Sequence, residues 1–342
     1  MNHVTSTADD TAREERGPVL SIVVPVLNEE KAIEPFLDRT VASLEATAKL
    51  HPSVCNSYEI VFVDDGSTDA TVAAVIAARQ RFGDIRLVML SRSFGKDAAL
   101  SAGLEFARGA AVIPIDVDLQ DPPELFSSLV GKWLDGAKVV NAIRRDRKRE
   151  SFGKRFTAAA FYRAYNILAE RPIPREAGDF RLLDRDVVDT LKRLPERIRF
   201  MKGLVSWAGF PASEVYYDRD ERVSGRSRWR FWQLWNFALD GITSSTTTPL
   251  RIWTYFGGAM AFLAFGYALF IVSTTLLLGR ATPGYASLIT VVLILGGLNL
   301  VALGILGEYI GRIFNEVKGR PLYVVSSTVG FDDIRQPSTD VT

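Results

Sequence analysis

Histidine and cysteine are nearly missing from this chain of 342 residues: it has two histidines, His3 and His51, and one cysteine, Cys55. A single cysteine excludes an internal disulfide and a cysteine metal cluster, and it fits a reducing compartment. With so little histidine, any chemistry has to proceed without a histidine acid–base pair. Excess charge is missing too. Lys and Arg number 41 against 40 Asp and Glu, so net charge argues for no polyanionic partner such as nucleic acid. No Gly-x-Gly-x-x-Gly follows the first strand pattern and no P-loop occurs anywhere, which removes the dehydrogenase and P-loop readings. Residues 1–18 are polar and charged, with no signal-peptide pattern, and are expected to form a disordered tail.

What is present alternates. Apolar, β-branched runs at 19–26, 58–63, 85–90, 112–115 and 138–143 read as strands. Helical patterns at 32–50, 71–82 and 96–107 lie between them. Such alternation predicts right-handed crossovers and a mostly parallel α/β sheet. The strand ends are polar or acidic: Asn28-Glu29, Asp64-Asp65-Gly66-Ser67 and Asp116-Val-Asp118. Alternate residues of an extended chain face the same way, so Asp116 and Asp118 point together at a strand's C-terminal end, where open α/β sheets bind ligands. Two hard carboxylates with the amide of Gln120 nearby suit Mg²⁺ or Mn²⁺ carrying a substrate diphosphate. The competing reading, that these acids cap the next helix, is weakened because Asp121 before Pro122 is expected to fill that role. Asp65-Gly66-Ser67 taken alone could be a plain turn. Its repetition at several strand ends argues for a shared site instead. Pro114 breaks the fourth strand pattern, since proline removes a ladder donor.

Further along, 144–149 is a basic cluster, and 152–168 mixes aromatic and basic residues as an interfacial helix does. Asp179 and Arg181 share a face if extended. Residues 222–229 form a basic, glycine-bearing loop suited to phosphate. Trp229, Trp232 and Trp235 lie in the helical pattern that follows, a water–lipid interface signature. Mean hydropathy is +0.09 although 24% of residues are charged, so the apolar excess is local. Residues 252–279 and 281–307 contain no charge, and each exceeds the roughly 20 residues a bilayer span needs. A two-span hairpin is expected. Arg226, Arg228, Arg230 and Arg251 precede it, and Arg312, Lys318 and Arg320 follow it. The positive-inside rule therefore puts both ends in the cytoplasm.

Pro25-x-x-Asn28-Glu29, Val63-Asp64-Asp65-Gly66-Ser67-x-Asp69 and Asp116-x-Asp118-Leu119-Gln120-Asp121-Pro122-Pro123 together resemble family 2 glycosyltransferases of the GT-A fold. The branch is that of polyprenyl-phosphate glycosyltransferases, which includes dolichol-phosphate mannose synthase and bactoprenol glucosyltransferases of the GtrB type. The likeness runs on through Gly178-Asp179-Phe180-Arg181-Leu182, Arg199-Phe200-Met201-Lys202-Gly203 and Arg320-Pro321-Leu322-Tyr323, covering nearly all of 19–325. It implies an α/β GT-A domain at 19–228, an interfacial helix at 229–250, a transmembrane hairpin at 251–314 and a cytoplasmic strand and tail at 315–342. Pro25, Asn28, Glu29, Asp64, Asp65 and Lys96 are then expected at the nucleotide, and Asp116, Asp118 and Gln120 at the metal. Asp179, with Asp118, is expected at the reaction centre, and Arg144, Arg145, Arg181 and Arg228 at phosphate. Relatives often have lysine where this chain has Arg228, and a planar fork is not equivalent to a point charge. The implied reaction is inverting transfer of a hexose from UDP-glucose to undecaprenyl phosphate at the inner membrane, with GDP-mannose, UDP-GlcNAc or UDP-L-Ara4FN as other donors. A processive polysaccharide synthase is disfavoured, since Gln-x-x-Arg-Trp is absent: Gln233 is followed by Leu-Trp-Asn. A lipid-flipping subunit is disfavoured because uncharged spans offer no polar path. A homotetramer is expected, with Leu322–Val325 crossing to a neighbouring subunit.

Overall fold

The computed structural model describes residues 19–52, 57–145, 177–196, 199, 201–217, 248–278 and 284–331. Strands β1 (Val19–Val26), β2 (Ser57–Asp64), β3 (Ile85–Leu90) and β4 (Ala111–Pro114) form the parallel centre of an eight-stranded sheet. They are joined through α1 (Ile33–Leu50), α2 (Thr71–Phe82) and α3 (Lys96–Phe106). After α4 (Phe126–Leu134) come β5 (Val139–Arg144), β6 (Ala177–Asp184), α5 (Arg185–Arg193), α6 (Met201–Ala208) and β7 (Ala212–Tyr217). Strand β6 runs antiparallel between β4 and β5, while β7 lies parallel to β5 at the edge.

Alternation of side chains builds two cores. Leu20, Ile22, Val24, Ile60 and Phe62 face α1, α2 and α4, packed against Phe36, Val75 and Leu129. Val23, Val61, Val63 and Val88 face α3, α5 and α6, packed against Leu100, Val188 and Val205. Both faces of the sheet are covered, which is why its central strands are apolar throughout rather than every second residue. Helix α3 lies so close to β1 that a Cβ at Gly103 would collide with the Val23 side chain.

Pro114 closes β4. The β4–β6 ladder pairs Ala111 with Asp184 and Val112 with Leu183 and stops there. Ile115 donates to Val23 on the β1 side, so the donor that Pro114 lacks belongs to the β6 side, where pairing has ended. The proline thus marks where β6 leaves β4, and a small cavity there is lined by Pro114, Asp179, Arg181 and Leu183.

Helices α7 (Thr248–Leu278) and α8 (Tyr285–Val317) touch at only a few positions and expose large apolar side chains such as Phe262, Phe265, Leu276 and Leu300. Among the described residues, Ile294–Val317 is long and apolar enough to cross a membrane, and Tyr255–Ile271 is a shorter apolar helix. Helix α8 stops before Gly319, whose φ of 64° only glycine adopts freely.

Strand β8 (Val325–Val329) corrects one expectation. It starts later than residue 321 and pairs antiparallel with β3 of its own chain, Leu87 with Val329 and Leu90 with Val325, instead of crossing to a neighbour. Strand β3 would otherwise be an open edge whose backbone groups need partners. The Ser91 amide donates to the Val324 carbonyl at 2.9 Å and extends the junction. The sheet's last strand thus comes from the segment expected to stand apart from the catalytic domain.

Candidate active site

Three turns meet at the C-terminal ends of β1, β2 and β4. Among the described residues, only Asn28 (φ 56°) and Leu119 (φ 58°) have positive φ without being glycine, and both lie in these turns. Backbone strain of this kind persists where the surroundings over-determine it. At Asn28 the surroundings are visible: its Oδ1 accepts from the Thr68 amide at 2.8 Å, and its own amide donates to Ser67 Oγ at 2.9 Å. The Glu29 amide donates to Thr71 Oγ1 at 2.8 Å. The turn after β1 is thereby locked to the turn after β2, and Pro25 pairs with Val63 beneath them.

Asp64 and Asp65 are both buried. Asp64 accepts the Ser67 amide on both oxygens at 3.2 Å. Asp65 accepts three donors from the turn before α3: Ser93 Oγ at 2.8 Å, Phe94 N at 2.7 Å and Gly95 N at 3.0 Å. Gly66 (φ 80°) lies against that same turn, and a Cβ there would stand 2.7 Å from the Arg92–Ser93 backbone. The Asp65 carboxylate therefore holds residues 93–95 as a wall beside the turn after β2.

That wall delivers Lys96, the first residue of α3, to a place the sequence reading did not give it. Its Nζ lies 2.8 Å from Asp116 Oδ2 and 2.8 Å from Asp179 Oδ2, so it bridges the two acids and does not point into the Asp64–Asp65 turn. The β4–β6 register explains the meeting. Continued past its last pair, it sets Asp116 opposite Asp179, at the opening that Pro114 marks. Burial favours the neutral amine of Lys96, but Asp116 and Asp179 more than offset this and hold its pKa well above the usual lysine range. Burial likewise opposes charge on Asp179, yet Lys96, Lys202 and Arg181 hold its carboxyl well below the usual range. Both groups are charged at neutral pH.

Asp118 is half-buried and accepts the Gln120 amide at 3.2 Å; the Gln120 side chain is buried. The expected Asp121 helix cap is not formed. A 3₁₀ turn (Pro123–Leu125) has Pro122 at its cap position, and Asp121 instead accepts the Tyr217 hydroxyl at 2.5 Å, tying β7 to the site. Arg181 is buried and donates to the Gly178 carbonyl at 2.5 Å, so it braces the start of β6, which carries Asp179. Arg144 and Arg145 close β5 at the end where Ile143 pairs with Ala177, which is the same end as Asp179. Arg145 is exposed. Arg228, the loop 222–229 and the aromatic stretches 152–168 and 229–239 lie outside the described residues.

Two residues at the site had no assigned role. Asp97, next to Lys96, accepts the Met201 amide at the start of α6 and is pushed up to about 6, first by burial and then by Asp179. Lys202, the second residue of α6, lies 3.9 Å from Asp179 Oδ1. Lys202 stood in the motif Arg199-Phe200-Met201-Lys202-Gly203, but only the fold brings α6 to α3. His51 is accounted for elsewhere, against the Ser127 carbonyl at 3.2 Å.

The model of glycosyl transferase family 2 matches residues 21–192, the segment that carries every one of these turns. The chain belongs to that family. As a family 2 glycosyltransferase it has a GT-A fold, and a second model, the GtrB C-terminal hairpin, matches residues 248–313. The chain is 49% identical to an uncharacterised glycosyltransferase of Synechocystis, over 92% of this chain and 96% of that one. It is 47% identical to the SfII prophage-derived bactoprenol glucosyl transferase of Shigella flexneri, over 90% and 98% of the two chains. A prophage bactoprenol glucosyl transferase homolog of Escherichia coli is 45% identical, over 90% and 98%. The hairpin makes this glycosyltransferase a membrane-associated one.

The donor set of the Asp116–Asp118 turn fits a divalent cation. It offers two hard carboxylates, each partly open to solvent. Among the described residues no group of three or more His, Cys, Asp or Glu gathers to complete a cage. Mg²⁺ and similar ions are commonly held by one or two carboxylates together with substrate phosphates and water, which is what this turn allows.

Proposed function

We propose that this glycosyltransferase moves glucose from UDP-glucose onto undecaprenyl or another polyprenyl phosphate at the cytoplasmic face of the membrane, inverting the anomeric centre. The observation that carries the reading is the row Asp116–Lys96–Asp179, two carboxylates bridged by one ammonium at 2.8 Å on either side, set at the end of the sheet. It is a site arranged for charge management, with no histidine in it. A phosphate monoester acceptor needs nothing more, because it arrives already ionised. Its oxygen attacks the anomeric carbon, the bond from that carbon to the UDP oxygen breaks, and UDP departs with the electron pair. No proton has to be removed.

Asp116 and Asp118 would hold Mg²⁺ or Mn²⁺, which neutralises the diphosphate as it leaves. The turns at Asn28, Glu29, Asp64 and Asp65, with Pro25 below them, would receive the nucleoside. Lys96 orients Asp179, and Asp179 faces the charge that develops on the sugar. Arg144 and Arg145, at the same end of β5, would draw the acceptor phosphate in, with Arg228 from the basic loop. The hairpin keeps this site beside a lipid that cannot leave the bilayer, which raises the effective concentration of acceptor. Two spans with both ends cytoplasmic, and assembly as a tetramer, complete the proposal. The names of the bactoprenol glucosyl transferase relatives support glucose and bactoprenol.

The test is transfer of radiolabelled sugar from a panel of UDP- and GDP-sugars into extracted polyprenyl phosphate by the purified full-length protein. Labelled lipid from UDP-glucose is the expected result. Label from another donor alone overturns the choice of sugar, and label from none overturns the reaction.

A further inference from the structure

Lys202 is a cation that the family motifs left without work. The charged groups run in sequence through space: Asp116, Lys96, Asp179, Lys202. Lys96 contacts Asp179 Oδ2 at 2.8 Å, while Lys202 faces the other oxygen, Oδ1, at 3.9 Å. The second distance is beyond hydrogen-bond reach. Among the described residues the Lys202 ammonium thus has a neighbour of opposite charge but no acceptor within hydrogen-bond reach, although its side chain is only 22% exposed. A partly buried ammonium held this way gains strongly from an anion that supplies acceptors directly.

Its position is built, not incidental. The Asp97 carboxylate accepts the Met201 amide and anchors the start of α6. Ser101 Oγ touches Met201 Sδ at 3.9 Å, and Met201 and Val205 are buried against Leu100 and Leu104 of α3. Successive residues of α3 therefore set both lysines, Lys96 directly and Lys202 through Asp97. The nearest alternative cation, Arg181, already donates to the Gly178 carbonyl. An in-line displacement needs the leaving diphosphate and the entering phosphate on opposite sides of the sugar. Asp116 marks the first side, so the far oxygen of Asp179 marks the second.

We propose that Lys202 binds the phosphate of the acceptor, with Asp97 as its positioning residue. This rests on the function proposed above.

The experiment uses full-length enzyme in detergent micelles, UDP-glucose with Mn²⁺ and undecaprenyl phosphate. K202Q is expected to raise KM for undecaprenyl phosphate tenfold or more while leaving the Kd of UDP with Mn²⁺ within twofold, and K202R is expected to restore most of the acceptor affinity. D97A is expected to raise the same KM by a smaller factor, with the Kd of UDP again unchanged. An unchanged acceptor KM in K202Q overturns the proposal, as does an equal loss of UDP affinity, which would make Lys202 a donor contact. If D97A leaves the acceptor KM unmoved, the positioning role is overturned. A wild-type measurement is independent of variant folding: amine acylation of Lys202, read by mass spectrometry, should be slowed by farnesyl phosphate and not by UDP with Mn²⁺. The reverse pattern overturns the assignment. Wild-type protein that transfers no sugar to any polyprenyl phosphate defeats the proposed function itself, a result separable from every outcome for Lys202.

Discussion

Two pairs of aspartates stand at neighbouring strand ends and are treated oppositely by the fold. Asp64 and Asp65 are buried and satisfied by the protein's own amides and hydroxyls, Asp65 by three donors between 2.7 and 3.0 Å. Asp116 and Asp179 are partly open and share one long, flexible lysine. A carboxylate saturated by backbone donors is fixed by many short tethers. A carboxylate matched by side-chain cations can exchange a partner for a substrate or a metal. The first pair fixes the turns around it, and the second keeps partners that can be exchanged.

The sharpest break of this comparison is at the open pair. Asp116→Asn or Asp118→Asn is expected to lower sugar transfer by about a hundred- to a thousandfold, the scale of losing one preorganised electrostatic contact, with an unchanged melting temperature. Near-wild-type rates in either variant, or activity surviving saturating EDTA, would return these acids to a structural role. Asp179→Asn comes next. A loss of about a hundredfold in kcat is expected with UDP affinity largely retained, because the contact is made at the reacting sugar. Parallel losses in both would place Asp179 at the nucleotide.

The saturated pair should respond differently. Asp65→Ala strands three donors, so a destabilisation of about 2–4 kcal/mol is expected, read from denaturant unfolding, while enzyme that stays folded keeps most of its kcat. An Asp65→Ala protein as stable as wild type would show that Asp65 is not needed to hold residues 93–95. The smallest effect concerns Asp97. Its carboxyl titrates at about 6 in the folded chain and near the ordinary aspartate value unfolded. The folded state thus binds the extra proton between these values, and stability falls as pH rises from about 4 to about 6, then levels off. Asp97→Asn should flatten that part of the pH–stability curve, and an unaltered slope would show that another group produces it.

The parallel centre of the sheet could be read from the sequence because each strand there is an apolar run closed by a polar turn, a pattern local in the chain. Asp116 and Asp118 were legible for the same reason. Lys96 was legible as a site residue but its bridge to Asp179 was not, because Asp179 arrives on an antiparallel strand more than eighty positions later. No local pattern fixes that register. Lys202 and Asp97 went unassigned because their relation exists only once α6 docks on α3. The tail strand was recognised, but its partner was not, since an open edge at β3 is a property of the finished sheet. Pro114 looked like a defect in a strand until the end of the β4–β6 ladder gave it a place.

Strand β8 makes the membrane hairpin an insertion within the catalytic sheet and not an appendage to it. Residues 325–329 are synthesised after both apolar helices, so the edge of β3 stays uncovered until nearly the whole chain has been made. A version of the catalytic domain without the hairpin would have to carry its closing strand back across the gap that the hairpin now fills.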